Sequence, residues 1–326
     1  MKKSKLIYSL SLVLIAGALI FTSCKKSKAF KEEDGQSSTD NRNVQTENDL
    51  ANNDINKVIS ENSLLHGRAV SASSGDDFIN KTLGINANPY TIDTNGAYMG
   101  TIKVNYNGVT EGNRTRTGSI KLTIQNYSTG KRWKQAGCVL QVDYLGYKVT
   151  RASDGKSIEL NGTQLVTNET GGSWVELFLN LQSSLATSVT GSNLNVTFDG
   201  DKTAVYNINR RFTYTFPSAT LTCKGEGIGS DGNLSGLENY GTTRDGDTFT
   251  SQVTTPIVWT WTCGWYAPVQ GEVNIKVADK DFSLNVLFSV DKSGNAVTAG
   301  ANSCPYGWKV EWTHKNKTKK KVFGYV

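Results

Sequence analysis

Trp259, Trp261 and Trp265, with Tyr266 beside them, form the densest aromatic cluster in this 326-residue sequence. Flat exposed indoles suit a sugar ring, so these four residues are a candidate glycan surface. Large aromatics more often pack a core, and the expectation is that these rings lie in one beside Cys263. In a regular strand Trp259, Trp261 and Cys263 share a face, because successive side chains point to opposite sides. Hydrolytic chemistry finds less support. A triad needs a nucleophile, a base and an orienting acid, and the base is most often histidine. Only His66 and His314 are available; neither belongs to a His-Glu-x-x-His pair, and there is no Gly-x-Ser-x-Gly elbow. The two carboxylates of a glycosidase would come from distant strands and leave no local signature. The expectation is therefore a non-enzyme without catalytic, cofactor-binding or metal-ligating residues, with a glycan-binding module or carbohydrate-active enzyme as the alternative.

Three further groups have simple explanations. Asp231-Gly232-Asn233-Leu234-Ser235-Gly236 begins like a calcium loop, but its twelfth position is Thr242 rather than a bidentate Glu, so a polar turn is expected. Gly225, Gly227 and Gly229 lack the strand-then-helix context of a phosphate cradle and read as loop. Lys315, Lys317, Lys319, Lys320 and Lys321 stand between Trp308, Val310 and Trp312 on one side and Val322 and Tyr325 on the other. That is a hairpin with a solvated basic tip, or a grip for anionic lipopolysaccharide or phosphate.

The elements that must position these residues show a period of two. Ile102, Val104 and Tyr106 alternate with polar residues, as do Ile120, Leu122 and Ile124; Cys138, Leu140, Val142 and Tyr144; and Leu194, Val196 and Phe198. Val175, Leu177, Leu179 and Leu181 read the same way, followed by Phe212, Tyr214 and Phe216, then Val273, Ile275 and Val277, and finally Phe282 to Val290. Asp154-Gly155, Asn161-Gly162, Asp199-Gly200, Asp245-Gly246 and Ser293-Gly294 supply turn chemistry between runs. Connections this short exclude parallel crossovers. The expected fold is all-β, with antiparallel sheets as a sandwich or an extended curled meander. One short helix is expected from about Asp49 to Asn62, where Leu50, Ile55, Val58, Ile59 and Leu64 recur at helical spacing. From Lys25 to about Asn48 the polar composition reads as a disordered tether.

The N-terminus carries an address. Lys2, Lys3 and Lys5 precede an apolar run from Leu6 to Ile20, and small polar residues lead into Cys24 with Lys25 and Lys26 behind it. The segment Ile20 to Cys24 resembles the lipobox of bacterial lipoproteins. It implies cleavage after Ser23 and lipid attachment at Cys24, hence a partnership with the membrane through that lipid. The domains expected are a signal peptide (1–23), a lipidated tether with its helix (24–66) and a β-rich body (67–326), with two halves meeting near 217–247 as an alternative. Lys31-Glu32-Glu33-Asp34 resembles a surface-export signal of Bacteroidota lipoproteins, leaving outer-membrane attachment on the periplasmic face or at the cell surface. Removing the three signal lysines lowers the formal charge of +6 to +3, too little to imply a nucleic-acid partner. A glycan or an envelope protein is the partner expected. Four cysteines remain after Cys24, and in an oxidising compartment they permit three pairings.

Arg114-Thr115-Arg116 with Gly118 and Ile120, then Asn161-Gly162-Thr163 and Val166-Thr167-Asn168, resemble the first half of a family of exported Bacteroidota lipoproteins. Gly241 to Gly246, Phe249-Thr250, Pro256, Cys263-Gly264-Trp265, Gly271, Val273 and Ile275 are similar to its second half. The resemblance covers roughly Thr101 to Val326 and implies an all-β exported body. It also implies a Cys263–Cys304 disulfide, because that family's later cysteine pair falls on these positions. Cys138 and Cys223 have no such counterpart, and their pairing is the weaker expectation.

Overall fold

The computed structural model describes residues 36–67, 90–278, 282–298, 303–314 and 317–325. The signal sequence, Cys24 and the Lys31 to Asp34 run lie outside them, as do Lys315 and the stretch 68–89. The described chain from Gln36 onward forms one compact unit. Its strands are β1 (Tyr90–Asp93), β2 (Thr101–Glu111), β3 (Arg114–Ile124), β4 (Cys138–Arg151), β5 (Ser157–Asn168), β6 (Leu185–Phe198), β7 (Lys202–Thr215), β8 (Thr222–Gly227), β9 (Gly229–Ser230), β10 (Ser235–Thr242), β11 (Thr248–Thr260), β12 (Gln270–Val277), β13 (Phe282–Val290), β14 (Gly307–His314) and β15 (Lys317–Gly324). All belong to one antiparallel sheet that runs in chain order from β1 to β7, then β10 to β15. The fold is thus all-β and a single curled meander rather than a sandwich.

The stretch 217–247 holds a local excursion. β8 pairs with β7 from Arg210 to Thr215, and β10 pairs with β7 from Val205 to Ile208. The two therefore lie end to end as one composite strand between β7 and β11. Between them the chain makes a small hairpin, in which β9 pairs back on the start of β10 around the turn 231–234. The Asp231 turn sits at this tip, where Asp231 Oδ1 accepts from the Leu234 amide at 3.0 Å. Gly225, Gly227 and Gly229 are strand residues rather than loop. Gly225 is needed for space, since a Cβ there would stand 2.8 Å from the Trp259 ring.

The sheet wraps around a helix. α1 (Gln36–Glu61) starts well before Asp49, through residues whose polarity reads as disorder. Ser, Asn, Thr and Asp are poor helix formers, and such a helix has little stability alone. Here the sheet supplies partners on every side. The Asp54 carboxylate accepts from Tyr106 on β2, Asn48 donates to Tyr144 on β4, Asn41 donates to Ser251 on β11, and Arg42 lies over Phe288 of β13. Laid flat, β2 and β13 would be about 43 Å apart at the usual inter-strand spacing. Asp54 and Arg42, which make these two contacts, lie only about 18 Å apart along the helix axis, so α1 can touch both strands only if the sheet curls round it. Two short helices complete the frame, α2 (Ser63–His66) and α3 (Trp174–Phe178).

Two sequence expectations fail locally. Val175, Leu177, Leu179 and Leu181 are not a strand: the segment is α3 and the turn after it, with Leu179 and Leu181 exposed. The Ser173 hydroxyl donates to the Glu176 carboxylate across the first turn of α3, in a Ser-x-x-Glu sequence that favours a helix start. Asn161-Gly162 is not a hairpin turn either. It lies inside β5, where Gly162 takes φ +132° and Asn161 Oδ1 accepts from the Gly146 amide across a register shift between β4 and β5. The pair marks a bulge, the other use of an Asn-Gly signal in a strand.

Candidate functional site

Charge on the buried face of the sheet is what α1 answers. Arg114 and Arg116 stand on β3, Arg210 on β7 and Arg244 in the turn after β10. Arg114 Nε meets Glu47 at 2.9 Å, Arg116 Nη1 meets Asp54 at 2.5 Å, Arg210 Nη1 meets Asp49 at 2.5 Å, and Arg244 grips Asp40 through two bonds of 2.6 Å. The guanidinium of Arg116 also bonds Glu111 at 2.9 Å. Burial raises the Asp54 carboxyl above its usual range, against the opposing pull of Arg116 and the Tyr106 hydroxyl. Asp49 and Glu238 are likewise raised by burial, with Arg210 pulling the other way.

Between this network and the aromatic loop lies a cavity of about 450 Å³. α1 contributes Asn53, Asp54 and Lys57; the tip of the β2–β3 hairpin contributes Glu111, Asn113 and Arg114; α3 contributes Trp174. Trp261, Trp265 and Tyr266 form the facing wall. Trp261 stands edge-on to Trp265 at 5.7 Å and 64°, and Trp265 stacks on Trp174 at 6.4 Å and 26°. Trp261 and Trp265 are half-buried, and Tyr266 is 41% exposed.

The four aromatics of the sequence cluster therefore separate. Trp259 is core, packed against Phe212 and Gly225. β11 ends at Thr260, and the 3₁₀ turn Trp261–Cys263 swings the later rings out of the strand's alternation. So the expectation of core packing holds for Trp259, while Trp261, Trp265 and Tyr266 line the cavity. Three ties hold their loop: the Cys263–Cys304 disulfide, with a Cα–Cα distance of 5.4 Å; a bond from Arg42 Nη2 to the Tyr266 carbonyl at 2.9 Å; and the Trp261 amide on the Leu221 carbonyl at 2.8 Å. Behind Trp265 a chamber of about 10 Å³, lined in part by Asn52 and Trp259, has roughly the volume of one water molecule.

Cys138 and Cys223 do not pair. Both are buried free thiols. They sit on β4 and β8, four strand positions apart in the sheet, or about 19 Å at the usual spacing, whereas a disulfide needs Cα atoms within about 7 Å. Burial pushes the Cys138 thiol up to about 11 and raises Cys223 as well, so neither is a ready nucleophile. His66 is fully buried, 3.7 Å from Glu176. Lys319, Lys320 and Lys321 are exposed along edge strand β15.

Asn53, Asp54, Glu111, Asn113 and Trp174 escaped the sequence reading as site residues. Arg114 and Arg116 stood in plain view, since two cations sharing a face two residues apart in a strand whose other members are Ile120 and Leu122 call for buried counter-charges. The chain matches no protein family, no curated protein and no solved structure.

Proposed function

We propose that this chain is a non-catalytic binding protein of the cell envelope, held by lipid on Cys24 at the outer membrane, on its periplasmic face or at the cell surface. It takes a small ligand in the cavity between α1, the β2–β3 hairpin and the Trp261–Tyr266 loop. That cavity carries the proposal. Its volume lies in the range of small-molecule sites, about 300–1,000 Å³, and aromatic and polar groups converge on it. Asp54 and Glu111 share the one guanidinium of Arg116, which suits them to clamping the wall rather than to moving protons.

The address and the site are tested separately. Metabolic labelling with an acyl probe is expected to mark the wild-type chain and not Cys24→Ser; equal labelling of both refutes the anchor. A small-molecule extract of the envelope is expected to raise the melting temperature of the wild-type protein and not that of Asn53→Trp, whose larger ring fills the cavity. Equal shifts in the two proteins refute the site.

A further inference from the structure

Three features of the cavity narrow the ligand, taking the binding proposal as given. Trp261 and Trp265 meet at 64°, so their planes form a corner, with Tyr266 exposed beside it. Such a corner offers ring faces to the C–H-lined side of a ring-shaped ligand and leaves the ligand's rim free for polar contacts.

Charge is the second feature. Among the described residues, every cation lining the cavity already holds a carboxylate of this chain: Arg114 holds Glu47, Arg116 holds Asp54 and Glu111, and Lys57 lies 3.9 Å from Glu61. An acidic ligand would have to displace one of these partners while facing Asp54 and Glu111. An acyl chain or other wholly apolar ligand would cover those charged groups without replacing their water, which is costly. What remains on offer is neutral hydrogen bonding, the third feature. Asn53 and Asn113 carry amides, and Asn113 spends its Nδ2 on Ser153, leaving Oδ1 as acceptor. Glu111 is 47% exposed and bonds Arg116 through Oε2, leaving Oε1 as a second acceptor. Hydroxyl groups, which both donate and accept, match this set.

We infer that the cavity binds a neutral saccharide of about disaccharide size, one ring packed on the Trp261–Trp265 corner and Tyr266, with its hydroxyls bonded to Asn53, Asn113 and Glu111. The probes are maltose, cellobiose, lactose, xylobiose and mannobiose, with glucuronic acid, galacturonic acid and octanoate as counter-probes. Binding to the full mature chain is followed by indole fluorescence and calorimetry. At least one neutral disaccharide is expected to bind saturably, and Trp261→Ala and Tyr266→Ala each to weaken it about tenfold. Because Tyr266 is exposed, Tyr266→Ala keeps the test valid should Trp261→Ala disturb folding, which circular dichroism reports. If only the acids or octanoate bind, and Tyr266→Ala weakens them, the saccharide assignment is overturned and the cavity stands. If no probe binds while the envelope extract still separates wild type from Asn53→Trp, the saccharide assignment is again overturned alone. If the extract fails to separate them as well, the site itself is lost.

Discussion

Arg210→Met is expected to lower stability by about 3–5 kcal/mol, the usual cost of breaking a buried ion pair by removing one partner. Arg210 is 2% exposed, and its loss strands Asp49 and Glu238 in the interior. Glu238 would keep only its bonds from Gln45 at 2.5 Å and Ser251 at 2.8 Å. The deficit has a pH signature. Both carboxyls have native pKa values raised above the ordinary 3.8 and 4.5, so in that window the native state holds protons that the unfolded chain has released. Stability contributed by these groups therefore rises as pH falls through the native pKa towards the ordinary value, and declines in the other direction. Without Arg210 the native values climb further, so urea unfolding should show a smaller deficit at pH 5 than at pH 7. Glu238→Gln added to Arg210→Met should recover part of the loss. A deficit below about 1 kcal/mol, within the range of an exposed pair, would contradict the role given to Arg210.

The second large effect is expected at the disulfide. Cys263 and Cys304 are separated by 41 residues, and opening a loop of that size costs about 4 kcal/mol in the chain-entropy estimate. Cys263→Ser and Cys304→Ser should lose similar amounts in urea unfolding, and adding one to the other should cost little more. Near-ultraviolet dichroism should weaken in both, because the bond anchors the loop that carries Trp261 and Trp265. Peptide mapping of the native protein should recover Cys263 joined to Cys304, with Cys138 and Cys223 alkylated only after unfolding. Ready alkylation of Cys263 without reductant would contradict this.

The strands were legible because alternation is a strong signal when one face of a sheet is buried, as with Ile120, Leu122 and Ile124 on β3. The helix was half-legible: Ile55, Val58 and Ile59 mark its C-terminal part, but from Gln36 to Asn48 its stability comes from residues far away in sequence. Apolar periodicity carries no trace of a helix held by ion pairs. Arg210, set in the alternating stripe of Ile208, Phe212 and Tyr214, was the overlooked clue, since a cation there requires a buried anion from elsewhere. The Ser173-x-x-Glu176 start signal was also available, and the leucines at alternate positions masked it. The Cys263–Cys304 bond followed from family resemblance, and nothing comparable supported Cys138 with Cys223. Of the cavity, the sequence showed the aromatic wall; the opposite wall depends on how β2, β3 and α1 meet, which no local pattern encodes.

The polar helix also sets an order in time. α1 leaves the ribosome, and crosses any membrane, before every strand that holds it, and its partners lie far downstream: Arg114 is 67 residues beyond Glu47, Arg210 is 161 beyond Asp49, and Arg244 is 204 beyond Asp40. Until those strands arrive, a segment so rich in Asn, Ser and Asp has no reason to stay helical. The first part of the body to emerge is therefore among the last to be secured. Contacts this distant make for slow folding and a long-lived open sheet with exposed apolar faces. A chain ending before Arg244 would leave Asp40 without its anchor, and one ending before Phe288 would leave Arg42 without its ring, so folding has to await most of the polypeptide.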